Sequence, residues 1–551
     1  MKNKIQNPIL KGFHPDPSII RAEDDYYLAT STFEWWPGIR LHHSKDLIHW
    51  ELIPYPLNRM SQLDLRGVGA SQGIWAPDLS YDNGIFYLVF TVVNSFYCNM
   101  YDTNNYLVTA QSIYGPWSDP VPLSNFGFDP SLFHDDDGKK YMVSMVTDHR
   151  VPKKYAGRLI LQEYDGKTHE MKGPARDIYQ GDRIFLEGPH IFKRNGWYYL
   201  FSADTGTGER HGQTIQRARD IWGPYEMFQA DFMKRTSENE AYSILSSRHH
   251  EDLFLQKAGH CDLVETAGGE WYAVHLCGRP SRYRNPADAV RFPGERRYML
   301  GRETAIQKMT WREDGWLVME SGGSTPQTEV DGPETGKENG SYVYKTIPDR
   351  DEFCDDQLSF DYQSLRIPMD ETYISLKARP GYLRMYGRSG LSSKFSQTLI
   401  ARRMTEYNME ISTAVEFEPE NFKQMAGLII LYDTDNYLYL HISKDEEAGK
   451  CVTLLKAENK KYEYLADYIP VESNKMITLR AEMRKGEIQF FWKAEGGGER
   501  KIGGEINGSF LSDEACEEGW FTGTMCGICC QDLTGGGLYA DFDYFEVKAN
   551  T

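Results

Sequence analysis

Leu186-Glu187-Gly188-Pro189-His190-Ile191-Phe192 is a short apolar strand with one carboxylate at its start. Taken alone, a Glu before Gly-Pro reads as a solvated loop residue. Its meaning comes from four related stretches. Asp16-Pro-Ser-Ile-Ile leads through a polar turn to Tyr26-Tyr-Leu-Ala-Thr, and Ala76-Pro-Asp-Leu-Ser leads to Phe86-Tyr-Leu-Val-Phe. Asp129-Pro-Ser-Leu-Phe leads to Tyr141-Met-Val-Ser-Met, Gly188-Pro-His-Ile-Phe to Trp197-Tyr-Tyr-Leu-Phe, and His260-Cys-Asp-Leu-Val to Trp271-Tyr-Ala-Val-His. Each unit is a strand, a Gly/Asp/Asn turn and an aromatic strand, which is the local chemistry of a β-hairpin. Their starts lie 60, 53, 59 and 72 residues apart, about one four-stranded propeller blade plus loops.

Five units predict a five-bladed β-propeller over residues 1–320. Asp46-Leu-Ile-His-Trp50, Ser112-Ile-Tyr-Gly-Pro-Trp117 and Asp220-Ile-Trp-Gly-Pro-Tyr225 recur between the hairpins and read as turns at blade edges. The first strand of a blade lines the central channel, so the first residues of the hairpins meet at one end of it. Those positions hold Asp16, Ala76, Asp129, Gly188 (with Glu187 just before it) and His260. Three carboxylates and a His are therefore expected in one funnel. Like charges gathered there repel, so a fold that keeps them does so for a chemical reason. Glycoside hydrolysis by inversion supplies one. It needs a base on a water and an acid on the leaving oxygen, held roughly 6.5–9.5 Å apart so that the water fits.

The hairpins stop near Trp316-Leu-Val-Met, and residues 321–342 read as a polar Gly/Pro/Ser linker. Over 343–551 short strands resume, among them Gln424-Met-Ala-Gly-Leu-Ile-Ile-Leu-Tyr and Ile488-Gln-Phe-Phe-Trp, and predict a β-sandwich. The chain is thus read as all-β.

Composition narrows the function. The 551 residues carry 61 basic and 80 acidic side chains, net −19, so no nucleic-acid partner is expected. No apolar run of about 18 residues is present, so no spanning helix and no membrane partner are expected. The start lacks an apolar core and does not read as a signal peptide. The nine Cys are odd in number and scattered, which argues for reduced thiols and a cytoplasmic location. Cys526-x-x-Cys529 has no second pair at ligand spacing and reads as strand, not zinc or redox site. Asp135-Asp-Asp-Gly138 lacks the full calcium-loop spacing and reads as a hairpin turn.

Asn7-Pro-Ile-Leu-Lys-Gly-Phe-His-Pro-Asp-Pro-Ser-Ile, Gly73-Ile-Trp-Ala-Pro-Asp, Gly127-Phe-Asp-Pro-Ser-Leu-Phe, Leu186-Glu-Gly-Pro-His and Gly301-Arg-Glu-Thr, in this order, resemble glycoside hydrolase family 43. The likeness is closest to its two-domain β-xylosidases with a C-terminal β-sandwich, and extends to Cys529-Cys-Gln-Asp and Asp541-Phe-Asp-Tyr-Phe. The resemblance implies roles. Asp16 matches the general base, Glu187 the general acid, and Asp129 the carboxylate that orients the sugar and raises the acid's pKa. Arg302 matches an active-site Arg, with a surface Arg as the bland alternative. Phe33 and Trp75 match pocket-wall aromatics. His260 matches a channel His that in some members helps bind calcium or another divalent cation; a satisfied core His is the equal alternative. No other cofactor is expected. The sandwich is expected to help close the pocket through Trp520-Phe-Thr-Gly-Thr-Met525, by Phe521 or by Met525.

The expected activity is that of an inverting exo-1,4-β-xylosidase acting on short xylo-oligosaccharides. The alternatives are an α-L-arabinofuranosidase or dual-activity enzyme on the same site and, more remotely, a non-catalytic sugar-binding propeller. The last predicts a lost carboxylate, and all three are present. Such enzymes are often dimers or tetramers, so a homo-oligomer is an expectation as well.

Overall fold

The computed structural model describes residues 3–550 apart from 97–99, 151–156, 181–184, 230–242, 249, 283–295, 335–341 and 473–474. Cys98 and the 335–341 part of the polar stretch lie outside the described residues. Strands dominate, and among the described residues there is no α-helix. Five antiparallel sheets follow one another along the chain. Their innermost strands are Ser18–Ala22, Gly73–Asp82, Phe128–His134, Leu186–Arg194 and Gln256–Glu265. These are the five hairpins, now the first two strands of five propeller blades. The stretches read as blade-edge turns each connect the third strand of a blade to its short fourth strand. Asp135 to Lys139 is a hairpin turn, with the Gly138 N–H donating to the Asp135 carbonyl.

The ring is closed by the N-terminal segment. Lys4–Gln6 pairs with Glu329–Asp331, a strand inside the stretch that reads as polar linker. Leu10 bridges Thr304 on blade 5, and the His14 N–H donates to the Arg302 carbonyl at 2.8 Å. Residues nearly 300 apart in sequence are thus brought into register beside Asp16.

The hairpin starts share a backbone irregularity that the sequence pattern did not disclose. In blades 2 to 5 two residues of the innermost strand oppose one of the second strand, between Trp75/Asp78, Phe128/Ser131, Glu187/His190 and Gly259/Asp262. These are β-bulges, which re-aim side chains at a strand end. The first bulged residue, and its blade 1 counterpart, sits at positive φ: Asp16 52°, Ala76 29°, Asp129 50°, Gly188 53° and His260 56°. Four are not glycine, a conformation that costs of order 1–3 kcal/mol each and persists where surroundings over-determine it. The kinked ends of the five strands bring Asp16, Asp129 and His260, with Trp75, Phe128 and Glu187 just before three of the kinks, to one pocket.

Residues beyond 350 form two stacked antiparallel sheets, a β-sandwich. Leu428 and Ile430 point into the core between the sheets, whereas Ile429 and Leu431 join an apolar cluster that includes Phe13, Phe33, Trp75 and Phe128 of the propeller. One sheet is therefore buried on both faces, which is why Leu428-Ile-Ile-Leu431 runs apolar without alternation. A buried ion pair crosses the same contact: Asp361 accepts from Arg402 Nε at 2.7 Å and from Arg40 of blade 1. Burial disfavours the charge, yet the two guanidiniums hold Asp361 well below the usual carboxylate range. Cys526 and Cys529 of Met525–Asp532 face opposite sides of this sheet, so they form no metal or redox pair. The eight described cysteines are all free.

Candidate active site

The kinked strand starts build two layers of side chains around the axis. The outer layer faces a cavity of about 320 Å³, mouth included, lined by Asp16, Asp129, Glu187, His260, Arg302, Phe33, Trp75, Phe128, Thr207 and Phe521. Every site residue expected from the sequence is in this set, apart from Met525. Met525 is fully buried in the sheet, and Phe521 takes the place on the pocket wall.

Asp16 is held by two donors, Arg302 Nη1 at 2.9 Å and Ser31 Oγ at 2.8 Å. Asp129 accepts from the Gly188 N–H at 3.1 Å. Burial, then the Asp16 charge, push Asp129 up to about 7 despite that bond. Glu187 is pushed well above the usual range, first by burial and then by Asp129 and Asp16. The site therefore holds one carboxylate tied to a guanidinium and one carboxyl kept as an acid. Unlike environments for paired carboxyls are the arrangement that divides acid from base work.

Arg302 is 2% exposed, which removes the surface-Arg alternative. Its second nitrogen donates to the Phe521 carbonyl at 2.9 Å, and its guanidinium lies over the Phe33 and Phe521 rings. Phe521 is tied again by its N–H to Ser71 Oγ at 3.0 Å. Its ring stacks on Phe33 at 6.1 Å and meets Trp75 edge-on at 5.3 Å. An aromatic corner from both halves of the chain thus faces the carboxyls, suited to the C–H face of a sugar. Gly301, at φ 72°, lets the chains pass: a Cβ there would sit 2.3 Å from the Thr522 carbonyl.

His260 does not gather a cation site. Its Nδ1 faces Asp16 Oδ1 at 3.6 Å, beside Arg302, and burial pushes the imidazole down to about 4. A cation there would compete with Arg302 for the same oxygen. The three described groups spaced for a metal are Asp78, His190 and Asp262, in the inner layer two residues beyond the kinks. Each of the three is already partnered by protein groups. Ser18 Oγ and the Ile19 N–H donate to Asp262, and the Leu132 N–H donates to Asp78. His190 Nδ1 lies 3.2 Å from Asp78. Burial opposes charge on His190, but Asp262 and Asp78 outweigh it and push the imidazole up to about 9. The inner layer is an ion cluster with His190 between two carboxyls.

Sequence reading missed Phe128, Thr207 and Tyr101, whose ring stacks on Phe128 at 4.9 Å. Phe128 carried a signal: like Glu187 and Trp75 it stands one residue before a kinked position. Thr207 and Tyr101 lie on loops without a repeat to place them.

Residues 5–317 match the model for glycosyl hydrolases family 43, and 350–548 match the β-xylosidase C-terminal concanavalin A-like domain. The chain belongs to glycosyl hydrolase family 43. Family 43 relatives span it end to end. A β-xylosidase of Bacillus subtilis is 42% identical over 99% of both chains, and a xylosidase/arabinosidase of Humicola insolens is 41% identical over 99% of this chain and 98% of its own. The crystal structure of a xylan β-1,4-xylosidase from Bacillus halodurans superposes with a TM-score of 0.92 at 45% identity, covering 99% of this chain and all of the other. This family 43 glycoside hydrolase is all-β over its described residues, a five-bladed propeller followed by a sandwich.

Proposed function

We propose that the protein is an inverting, exo-acting 1,4-β-xylosidase that releases xylose from the non-reducing end of short xylo-oligosaccharides. The observation that carries this reading is the pocket itself: three carboxyls at the end of a channel, capped by Phe521 from the second domain. A cap of this kind leaves room for one terminal sugar and little of the next.

In the proposed reaction, the Asp16 carboxylate takes a proton from a water that attacks the anomeric carbon. Glu187 donates its proton to the glycosidic oxygen as the bond breaks, giving α-xylose and a shortened oligosaccharide. Asp129 keeps Glu187 protonated through its charge and orients the sugar. Arg302 is the counter-ion of Asp16, and Phe33, Trp75 and Phe521 wall the sugar. His260 fills the channel behind Asp16. No resident cation is required in this scheme. The reading keeps the cytoplasm as the compartment, supported by the free thiols, and a homo-oligomer as the assembly.

The Humicola relative, named for both activities, favours a second reading in which the site also takes α-L-arabinofuranosides. Rates on para-nitrophenyl β-xyloside and α-L-arabinofuranoside separate the two: the xyloside is expected to be faster, and a clearly faster arabinoside overturns the primary reading. A proton NMR time course on xylobiose is expected to show α-xylose first, and β-xylose first excludes inversion.

A further inference from the structure

The third strand of blade 4, Gly212–Ala218, is preceded by a buried histidine that the scheme above does not use. His211 Nε2 lies 3.7 Å from Glu187 Oε1. Both atoms are buried, and neither has a hydrogen-bond partner among the described residues. An orphaned buried pair of this sort is costly unless the two atoms serve each other.

The other ring nitrogen decides what His211 offers. Nδ1 lies 3.0 Å from the Lys257 carbonyl, which only accepts, so Nδ1 carries the proton. Nε2 is then a bare lone pair aimed at the acid. The carbonyl is well fixed: Lys257 sits at φ 55°, and its ammonium is gripped by Asp513 and Glu514 of the sandwich at 3.2 and 2.7 Å. The ring is fixed too. Gly259 lies flat beneath it, where a Cβ would come within 2.8 Å of the imidazole. Glycine thus stands in blade 5 where blade 4 has Glu187, and His211 fills the space.

We infer that His211 is a positioning residue for Glu187, its unprotonated Nε2 accepting a hydrogen bond from the protonated carboxyl between turnovers. The separation must close by several tenths of an ångström to form that bond. Catalytic hydrogen bonds are commonly long before substrate binds. The inference rests on Glu187 being the general acid. The bare lone pair stabilises the carboxylic acid and repels the carboxylate, so it works in the same direction as Asp129. His211 itself stays neutral, since burial holds it well below its usual range and His260, Arg302 and Arg248 face it. Facing Glu187 are Asp129, Asp16, Asp204 and Arg302, with Tyr101 nearby.

The test is the alkaline limb of kcat/KM on xylobiose. His211→Phe removes the acceptor and is expected to move that limb at least one unit to lower pH. Its rate on a dinitrophenyl β-xyloside, whose leaving group needs no acid, is expected to hold within a few-fold. A purely structural role lowers both rates and leaves the limb in place, which overturns the inference. Imidazole nitrogen-15 NMR of the wild-type enzyme covers a variant that fails to fold. It is expected to show His211 as the Nδ1–H tautomer, with the Nε2 signal shifted by Glu187→Gln. An Nε2–H tautomer reverses the proposed bond and overturns the inference. If Glu187→Gln keeps the wild-type limb, the acid assignment fails instead, whatever His211 does.

Discussion

The channel carries carboxyls in two layers, and the layers differ in how charge is met. In the inner layer, Asp78 and Asp262 flank the His190 imidazolium, and Ser18 and backbone N–H groups satisfy them. In the outer layer Asp16 alone among the described carboxyls is paired with a cation, while burial and the Asp16 charge push Asp129 up, and burial, Asp129 and Asp16 push Glu187 up. The same five strands supply both layers. The difference lies in a two-residue shift along the strand and in the partners waiting there. Carboxyls that share a cation and backbone donors hold blades together. Glu187, without a cation and facing the Asp129 and Asp16 charges, keeps its proton, and a kept proton is what acid catalysis needs.

This contrast can be broken from either side. The largest expected effect is in the inner layer. His190→Leu strands two buried carboxylates and is expected to cost about 3–5 kcal/mol, read by urea unfolding, while kcat of the folded enzyme at neutral pH falls less than about tenfold. A variant of unchanged stability means that the cluster does not hold the blades. A smaller effect is expected from Asp129→Asn. Removing that charge lowers the Glu187 pKa, so less of the acid is protonated as pH rises and the alkaline limb of kcat/KM moves to lower pH. A shift of about one unit corresponds to about 1.4 kcal/mol, and an unmoved limb means Asp129 does not act through Glu187. The smallest effect is expected from Phe521→Ala. Loss of one aromatic wall raises KM by roughly three- to tenfold, for about 0.5–1.5 kcal/mol, with the alkaline limb in place. An unchanged KM separates the cap from substrate binding.

The two layers were unequally legible in the sequence. Five hairpins at regular spacing gave the propeller, and two Asp at equivalent positions with a Glu one residue earlier gave the outer layer. The left-handed residues at the kinks were not legible, because Ala gives no cue to positive φ and the enrichment of Asp and His there is too weak to place a kink. The inner layer was missed although His190 and Asp262 stand in the same hairpins. Ser, Asp, Ser, His and Asp at one repeat position look unrelated until the fold shows Ser18, Asp78, His190 and Asp262 satisfying one another. His211 was hidden for a different reason: its partners are Glu187, a carbonyl 46 residues later and a missing Cβ at Gly259. Arg302 and Phe521 came only through family resemblance, since 286 residues separate Arg302 from Asp16.

The central claim is that Glu187 is the carboxyl whose proton does the chemistry. Glu187→Gln, assayed on xylobiose and on dinitrophenyl β-xyloside across pH, tests it most directly. The claim predicts a loss of about 10²–10⁴-fold on xylobiose, near wild-type turnover of the activated xyloside, and no alkaline limb attributable to the acid. Wild-type hydrolysis of xylobiose with the limb intact would contradict it.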